Sequence, residues 1–386
     1  MRRWLLPEYI EDILPAEACK VEALRRRILD LFQAHGYELV MPPLLEYLES
    51  LLTGTGHDLD LKTFKLVDQL SGRLLGVRAD ITPQVTRIDA HLLNRYGIAR
   101  LCYAGSVLHA LPSGIMRTRE PLQIGAELYG HSGVESDVEI QALMVKALRA
   151  AGIEHMHVDL GHVGVFRGLM RRFQVDAERE SELFRVLQSK DLPTLRELAS
   201  GLAPRLQEAL LLLPELYGGA PILALARDRL PSYPEIGAAL SQMERIAQDL
   251  RGVVDVHCFD LAELRGYHYH SGVVFAAYAR GLPNAIALGG RYDEIGAAFG
   301  RARPATGFTM DLRQLVAVCP SVPAAPGILA PYSPDDAVLR SRIEELQSQG
   351  ETVIIDLPGH DDTRAELGCD SALVLRDGSW QVEPLA

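Results

Sequence analysis

The 386-residue sequence predicts an α+β protein: a large body of locally paired strands mixed with helices, a helical insertion, and a small appended α/β unit. Three observations predict it. Turn-bounded strand candidates come as near neighbours with amphipathic helices between them. The stretch at about 166–252 is rich in Leu, Arg, Glu and Gln, is cut by prolines, and has no strand signal of comparable quality. A proline-rich run at 319–327 precedes a tail that alternates strand and helix.

Residues 15–35 place Val21, Leu24, Ile28, Leu31 and Phe32 at helical spacing and turn Arg25, Arg26 and Arg27 outward, which predicts an amphipathic helix stopped by Gly36. Residues 37–41 read as a short strand ended by Pro42 and Pro43, because proline cannot donate to a sheet ladder. Strands are expected at 62–68, 73–77, 99–104 and 122–129, with a helix at 81–96. A helix at 136–151 carries Val138, Ala142, Val145 and Leu148 on one side and leads into a strand at 155–160. Pro193, Pro204, Pro214 and Pro231 break the insertion into several short helices. Strands resume at 253–260, 272–278 and 284–288, before a last helix at 311–318. The body thus spans 1–318, the linker 319–327, and the small unit 328–386, with a helix at 335–349 and strands at 352–356 and 372–375.

The 39 Lys and Arg against 51 Asp and Glu leave a formal net charge of −12, and 48% hydrophobic residues suffice for a sizeable core. Disorder, collagen and coiled coil are excluded as whole-chain readings. No run of Lys and Arg offers the concentrated basic face that phosphate neutralisation needs, so non-specific DNA or RNA binding is not expected. No window approaches the roughly 20 apolar residues of a spanning helix, and the piece from Trp4 to Leu6 is too short for a secretory signal. A cytoplasmic chain is expected. Five scattered cysteines (Cys19, Cys102, Cys258, Cys319 and Cys369) without a C-x-x-C pair fit reduced thiols rather than disulfides or a zinc ribbon.

Stand-alone catalytic signatures are missing: no G-x-x-x-x-G-K-[ST], no H-E-x-x-H and no G-x-S-x-G. The pairs His155 with His157 and His268 with His270 would each share a strand face at period 2. Only Asp159 extends either pair and no cysteine does, so no metal is expected.

Six segments, in order, resemble those of class II aminoacyl-tRNA synthetases and of histidyl-tRNA synthetases in particular. Gly36, Tyr37, Pro43 and Glu46 resemble the first class II motif, and 77–82 (VRADIT) the R-P-E-G-T loop. Residues 103–127, from YAGS to QIGAE, resemble the second motif with its Q-x-x-x-E strand. Residues 264–269 (LRGYHY) resemble the R-G-x-D-Y-Y histidine loop, 289–293 (GGRYD) its counterpart, and 307–310 (GFTM) the third motif. Together they cover about 7–318. The resemblance implies a class II synthetase-like antiparallel sheet flanked by helices, dimerised through 36–46.

The departures from that pattern are as informative. The second motif's F-R-x-E supplies an Arg for the ATP α-phosphate and a Glu for adenine, and those positions read His109 and Leu111. The third motif's γ-phosphate Arg falls on Gln314, with Asp311 replacing a nearby glycine. Removing positioned cations from such a site costs several kcal/mol of transition-state stabilisation apiece. The amino-acid half is kept. The resemblance places Asp80, Thr82 and Gln123 toward the α-ammonium of histidine, Glu127 toward its imidazole and Arg265 toward its carboxylate, with Tyr269 in the same histidine site. Opposite charges at both ends of a zwitterion make chemical sense. His268 and His270 replace the aspartate and second tyrosine of the histidine loop. The tail is also shorter than a synthetase anticodon-binding domain.

That combination is similar to the regulatory-subunit family of ATP phosphoribosyltransferase, the first enzyme of histidine biosynthesis. The resemblance implies a non-catalytic chain, with no cofactor, metal, nucleic acid or membrane. Its partner is the short catalytic subunit, which depends on it for activity and for feedback by histidine, in a hetero-oligomer with a homodimer core. Two other readings stay open: an atypical histidyl-tRNA synthetase, which pyrophosphate exchange would separate, and a histidine-sensing adaptor of another complex, which a pull-down would reveal.

Overall fold

Proline at the first position of α1 (Pro15–Ala34) lacks an N–H that would in any case go unpaired, and the helix buries Val21, Leu24, Ile28 and Phe32 on one face. Beyond its C-cap His35 the chain turns at Gly36, whose φ of +82° is a left-handed conformation that side chains disfavour. The computed structural model describes residues 4–54, 57–112, 118–319, 326–359 and 361–385. The chain divides into two units, Met1–Pro320 and Ser321–Ala386.

After α1 come β1 (Glu38–Leu39), β2 (Leu45–Tyr47), α2 (Leu48–Leu51), α3 (His57–Lys62), β3 (Phe64–Val67) and β4 (Leu74–Val77). Next are α4 (Thr82–Arg87), which widens into a π-type turn at Ile88–Leu93, β5 (Ala99–Ser106), β6 (Leu122–Tyr129), α5 (Val134–Ala150) and β7 (Met156–His162). A helical stretch follows: α6 (Val163–Arg172), α7 (Ala177–Gln188), α8 (Leu192–Ala199), α9 (Pro204–Leu212), then β8 (Tyr217–Gly218), α10 (Pro221–Arg229) and α11 (Pro234–Asp249). The first unit closes with β9 (Val256–Asp260), β10 (Val273–Ala279), β11 (Ala287–Arg291), β12 (Ala305–Asp311) and α12 (Leu312–Val318). Pro193 and Pro204 sit in first turns, while Asp176 and Asp191 cap α7 and α8 by accepting backbone N–H groups.

Nine strands form the main sheet, in the order β1-β5-β6-β12-β11-β10-β7-β9-β8, and β2, β4 and β3 form a separate antiparallel sheet. Within the large sheet only β1 with β5 and β7 with β9 run parallel among the described pairs. The pleat sorts β6 by face. Ile124, Ala126 and Leu128 enter a large core shared with α1, α5 and the helical stretch. Gly125, Glu127 and Tyr129 point the other way, where Tyr129 packs with Ile81, Val85, Leu101, Tyr103 and Tyr292.

The second unit carries β13 (Gly327–Pro331), α13 (Ala337–Ser348), β14 (Val353–Asp356), β15 (Cys369–Arg376) and β16 (Ser379–Pro384). Its sheet order is β14-β13-β15-β16, and Leu339 and Leu346 of α13 pack on Ile328, Ala330 and Leu373.

Several features differ from the sequence reading. β12, at the centre of the main sheet, carries Thr306, Gly307 and Thr309 and shows little apolar run; two flanking ladders, to β6 and β11, make it a strand. The short β2 and β8 and the six-residue β16 also lie outside the strands expected from the sequence. The helix expected at 81–96 stops at Leu93 because Asn94 turns left-handed at φ +46°. The histidine pairs do not share strand faces. His155 precedes β7, and His268 and His270 lie in the turn between β9 and β10, where Gly266 reverses the chain at φ +64°. Residues 320–325 of the proline-rich run lie outside the described residues. Among the described residues no helix is long and apolar enough to cross a membrane.

Candidate functional site

Antiparallel pairing sets Glu127 of β6 opposite Gly307 of β12, and Gly307 opposite Gly290 of β11. The Glu127 side chain lies over the space that a side chain on Gly307 would fill: a Cβ there would stand 1.5 Å from Oε2. Three hydroxyls hold the carboxyl. Thr82 Oγ1 (3.0 Å) and Tyr103 (3.2 Å) donate to Oε1, and Tyr292 (2.5 Å) donates to Oε2. Burial pushes the Glu127 pKa up to about 8; the hydroxyl bonds pull it down, and the nearby Asp80 carboxylate adds to the rise.

Asp80 Oδ1 accepts the Thr82 N–H at 3.1 Å, a side-chain-to-backbone turn that opens α4. Both residues, with Glu127, Arg265 and Tyr269, line one cavity of about 1050 Å³. Gln123 is not among the lining residues. Its Oε1 accepts the Ile81 N–H at 3.0 Å, so it braces the loop that carries Asp80 and Thr82. α7 adds Glu178, Ser181, Glu182, Arg185 and Gln188 to the lining, at spacings that share one helix face.

The turn 264–270 is clamped from below and above. Arg167 Nη2 donates to the carbonyls of Tyr267 and His270, both at 3.0 Å. The Tyr267 ring stacks on Phe184 of α7, and its hydroxyl donates to Glu180 at 2.5 Å. Arg265 lies with its guanidinium 3.6 Å from Glu263 Oε2 and beside the Tyr278 hydroxyl, with 44% of its side chain exposed. The Tyr269 ring rests 5.0 Å from that of Tyr292, and its hydroxyl is buried with no hydrogen-bond partner among the described residues. His270 approaches the Arg291 carbonyl at 3.3 Å, and burial pushes its pKa down to about 4. His268 is exposed against the edge of Phe184.

The positions that differ from a nucleotide site lie outside the cavity lining among the described residues. His109 Nε2 sits 3.0 Å from the Ala79 carbonyl, and burial lowers its pKa, so it is no permanent cation. Leu111 is exposed. Gln314 lies on α12. Asp311 caps that helix, accepting the Arg313 and Leu122 N–H groups at 3.0 and 3.1 Å, and burial raises its pKa to about 6. Among the described residues no group of three His, Cys, Asp or Glu is placed to hold a metal ion.

Tyr103, Tyr292 and Gly307 shape the site as well, beyond the residues expected from the sequence. All three fall inside the segments 103–127, 289–293 and 307–310, so the signal was present, but which of their side chains reach Glu127 depends on register. The α7 residues carried no signal, since a charged helical stripe reads as a solvated face.

The family model of histidyl-tRNA synthetase matches residues 9–315, and that of the C-terminal domain of ATP phosphoribosyltransferase subunit HisZ matches residues 325–383. A curated protein of Nitrosospira multiformis, described as ATP phosphoribosyltransferase regulatory subunit, is 60% identical over 386 residues, covering 99% of this chain and 98% of that one. One of Nitrosomonas europaea with the same description is 55% identical over the full length of both. A crystal structure described as an ATP phosphoribosyltransferase regulatory subunit/histidyl-tRNA synthetase, from Bacillus halodurans, matches with a TM-score of 0.82 at 29% identity, over 94% of this chain and 96% of that one. A histidyl-tRNA synthetase from Nostoc sp. shares the fold, with a TM-score of 0.78 at 16% identity, over 97% and 92% of the two chains. With more than half of its residues identical to those relatives along essentially its whole length, this chain, on a class II synthetase-like α+β fold, belongs to the family of ATP phosphoribosyltransferase regulatory subunits.

Proposed function

We propose that this chain performs no phosphoribosyl transfer itself, that it assembles in the cytoplasm with the short catalytic subunit of ATP phosphoribosyltransferase, and that free histidine binds its cavity as a feedback inhibitor. One observation carries the reading: groups suited to a histidine zwitterion share a cavity, while His109, Leu111 and Gln314 stand where adenylation would need two arginines and a glutamate. Asp80 and Thr82 would face the ammonium, with Gln123 bracing their loop. Glu127 would meet the imidazole, Arg265 would turn from Glu263 to the ligand carboxylate, and the buried Tyr269 hydroxyl would gain a partner. Feedback then requires that histidine bind one state of the assembly better than another, typically by about 1–3 kcal/mol.

The same reading places a homodimer at 36–46. Leu39, Met41, Leu44 and Leu45 are exposed there, with Met41 83% accessible, and β1 is an edge strand of the main sheet, a surface suited to a second copy. The test is co-expression with the catalytic subunit, gel filtration, and calorimetric titration of the complex with histidine. Joint elution and saturable binding are expected. Separate peaks would count against the partnership, absence of histidine binding against the ligand, and histidine-dependent pyrophosphate exchange would favour an atypical synthetase instead.

A further inference from the structure

Glu127 is 1% exposed, and all three of its hydrogen-bond partners are neutral hydroxyls. Every element around it points the same way. α4 and the residue before its cap contribute Thr82 and Asp80, β5 contributes Tyr103, its own strand Tyr129, the turn before β10 Tyr269, the end of β11 Tyr292, and β12 only Gly307. Among the described residues no cation forms an ion pair with Glu127, and the charged neighbour, Asp80, has the same sign. A carboxylate so enclosed is costly without a positive partner, so the empty pocket favours its neutral form.

We propose that Glu127 and the imidazole of bound histidine share one proton, which Glu127 carries in the empty pocket, and that Tyr292 is the positioning residue that governs its hold. This rests on the histidine reading given above. In the step itself the O–H bond of Glu127 opens, its electron pair stays on oxygen, and an N–H bond forms on the unprotonated imidazole nitrogen. A carboxylate then pairs with an imidazolium, and solvent neither supplies nor receives a proton.

A dependence on pH follows. Free histidine protonates its own imidazole near pH ~6.5. Below that, pocket and ligand bring two protons and one must leave; above about 8 they bring none and one must be taken up. Between these limits affinity is flat, and beyond either it falls by about tenfold per pH unit. The site would then report histidine and not pH across the neutral range.

The test is calorimetric titration of the full-length protein with L-histidine at a pH of ~7.3, midway between those limits, in two buffers of different ionisation enthalpy, then across pH. Near-zero proton exchange and a flat affinity between the two limits are expected. Uptake of close to one proton per histidine would mean that Glu127 is ionised when empty, release of close to one would mean that the complex holds none, and either overturns the proposal. Glu127→Gln, which keeps the shape of the group, should abolish the alkaline limb near pH 8, leaving only the loss set by the ligand's own ammonium at higher pH. Tyr292→Phe removes a donor that favours the ionised form, so the limb should move to higher pH. A residue that serves packing alone would weaken binding equally at all pH values, and an unmoved limb overturns the role of Tyr292. No histidine binding to the folded wild type would sink the reading beneath the proposal, a result distinct from the wrong proton count.

Discussion

The two halves of the candidate site use their polar groups in opposite ways. In the amino-acid half, capacity is left open toward the cavity: among the described residues the Tyr269 hydroxyl has no partner and Glu127 is held by hydroxyls without a cation, while the half-exposed Arg265 rests beside Glu263 and Tyr278. In the other half the polar groups are consumed by the chain itself. His109 binds the Ala79 carbonyl, Arg119 donates to the His109 carbonyl, and Asp311 caps α12. The atoms left over there, His109 Nδ1 and Asp311 Oδ2, belong to residues outside the cavity lining. A region that must receive a charged ligand keeps donors and acceptors in reserve, whereas one released from that task ties them to backbone, where each bond adds about 0.5–1.5 kcal/mol.

The contrast can be broken most sharply at Gly307. Gly307→Val puts a side chain where Glu127 Oε2 lies, so either the carboxyl or the strand must move. Overpacking of this kind costs about 1–3 kcal/mol of stability. Histidine affinity should fall by about a hundredfold or more, as expected when a charge-assisted contact is lost along with its geometry. Thermal melting and calorimetry would show both, and wild-type affinity in this variant would separate Glu127 from the ligand.

Arg265→Ala sharpens the contrast from the exposed side. Histidine should bind about ten- to a hundredfold more weakly. Stability of the empty protein should change by no more than about 0.5 kcal/mol, because the pair with Glu263 is partly exposed and screened. A large fall in melting temperature would instead mean that Arg265 braces the turn.

In the other half, Asp311→Asn keeps a capping side chain and removes a buried ionisable group. The folded-state pKa of Asp311 lies above its ordinary value, at about 6, so the neutral carboxyl favours the native state. That contribution is full below the unfolded pKa and is lost as pH rises through about 6. Urea unfolding of the wild type should therefore lose up to about 3 kcal/mol from this group between acid and neutral pH, and Asp311→Asn should flatten the profile. An unchanged profile would remove Asp311 from the account.

The smallest effect is expected from His109→Arg combined with Gln314→Arg. Leu111 and Asp311 remain, and positioned groups act together rather than singly. No histidine-dependent pyrophosphate exchange should appear. Its appearance would erase the distinction between the halves.

The sequence by itself determined the elements whose signals are local. The 3.6-residue spacing of Val21, Leu24, Ile28 and Phe32 marks α1, and the turn-bounded segment 122–129 marks β6 to the residue. The ordered segments from 36–46 to 307–310 also pointed to the α+β class II synthetase-like fold. Tertiary structure decided the rest, because strand pairing joins residues distant in sequence. β12 owes its place to β6 and β11, not to an apolar run of its own, and only that register brings Gly307 under Glu127 and leaves Tyr292 to donate to its carboxyl. Gln123 shows the same limit: spacing placed it on the right strand, and the fold turned its amide to the Ile81 backbone. His268 and His270 show it from the other side, since a period-2 pair becomes a turn once Gly266 takes a left-handed conformation, in a segment held by Tyr267 against α7 and by Arg167 on its carbonyls.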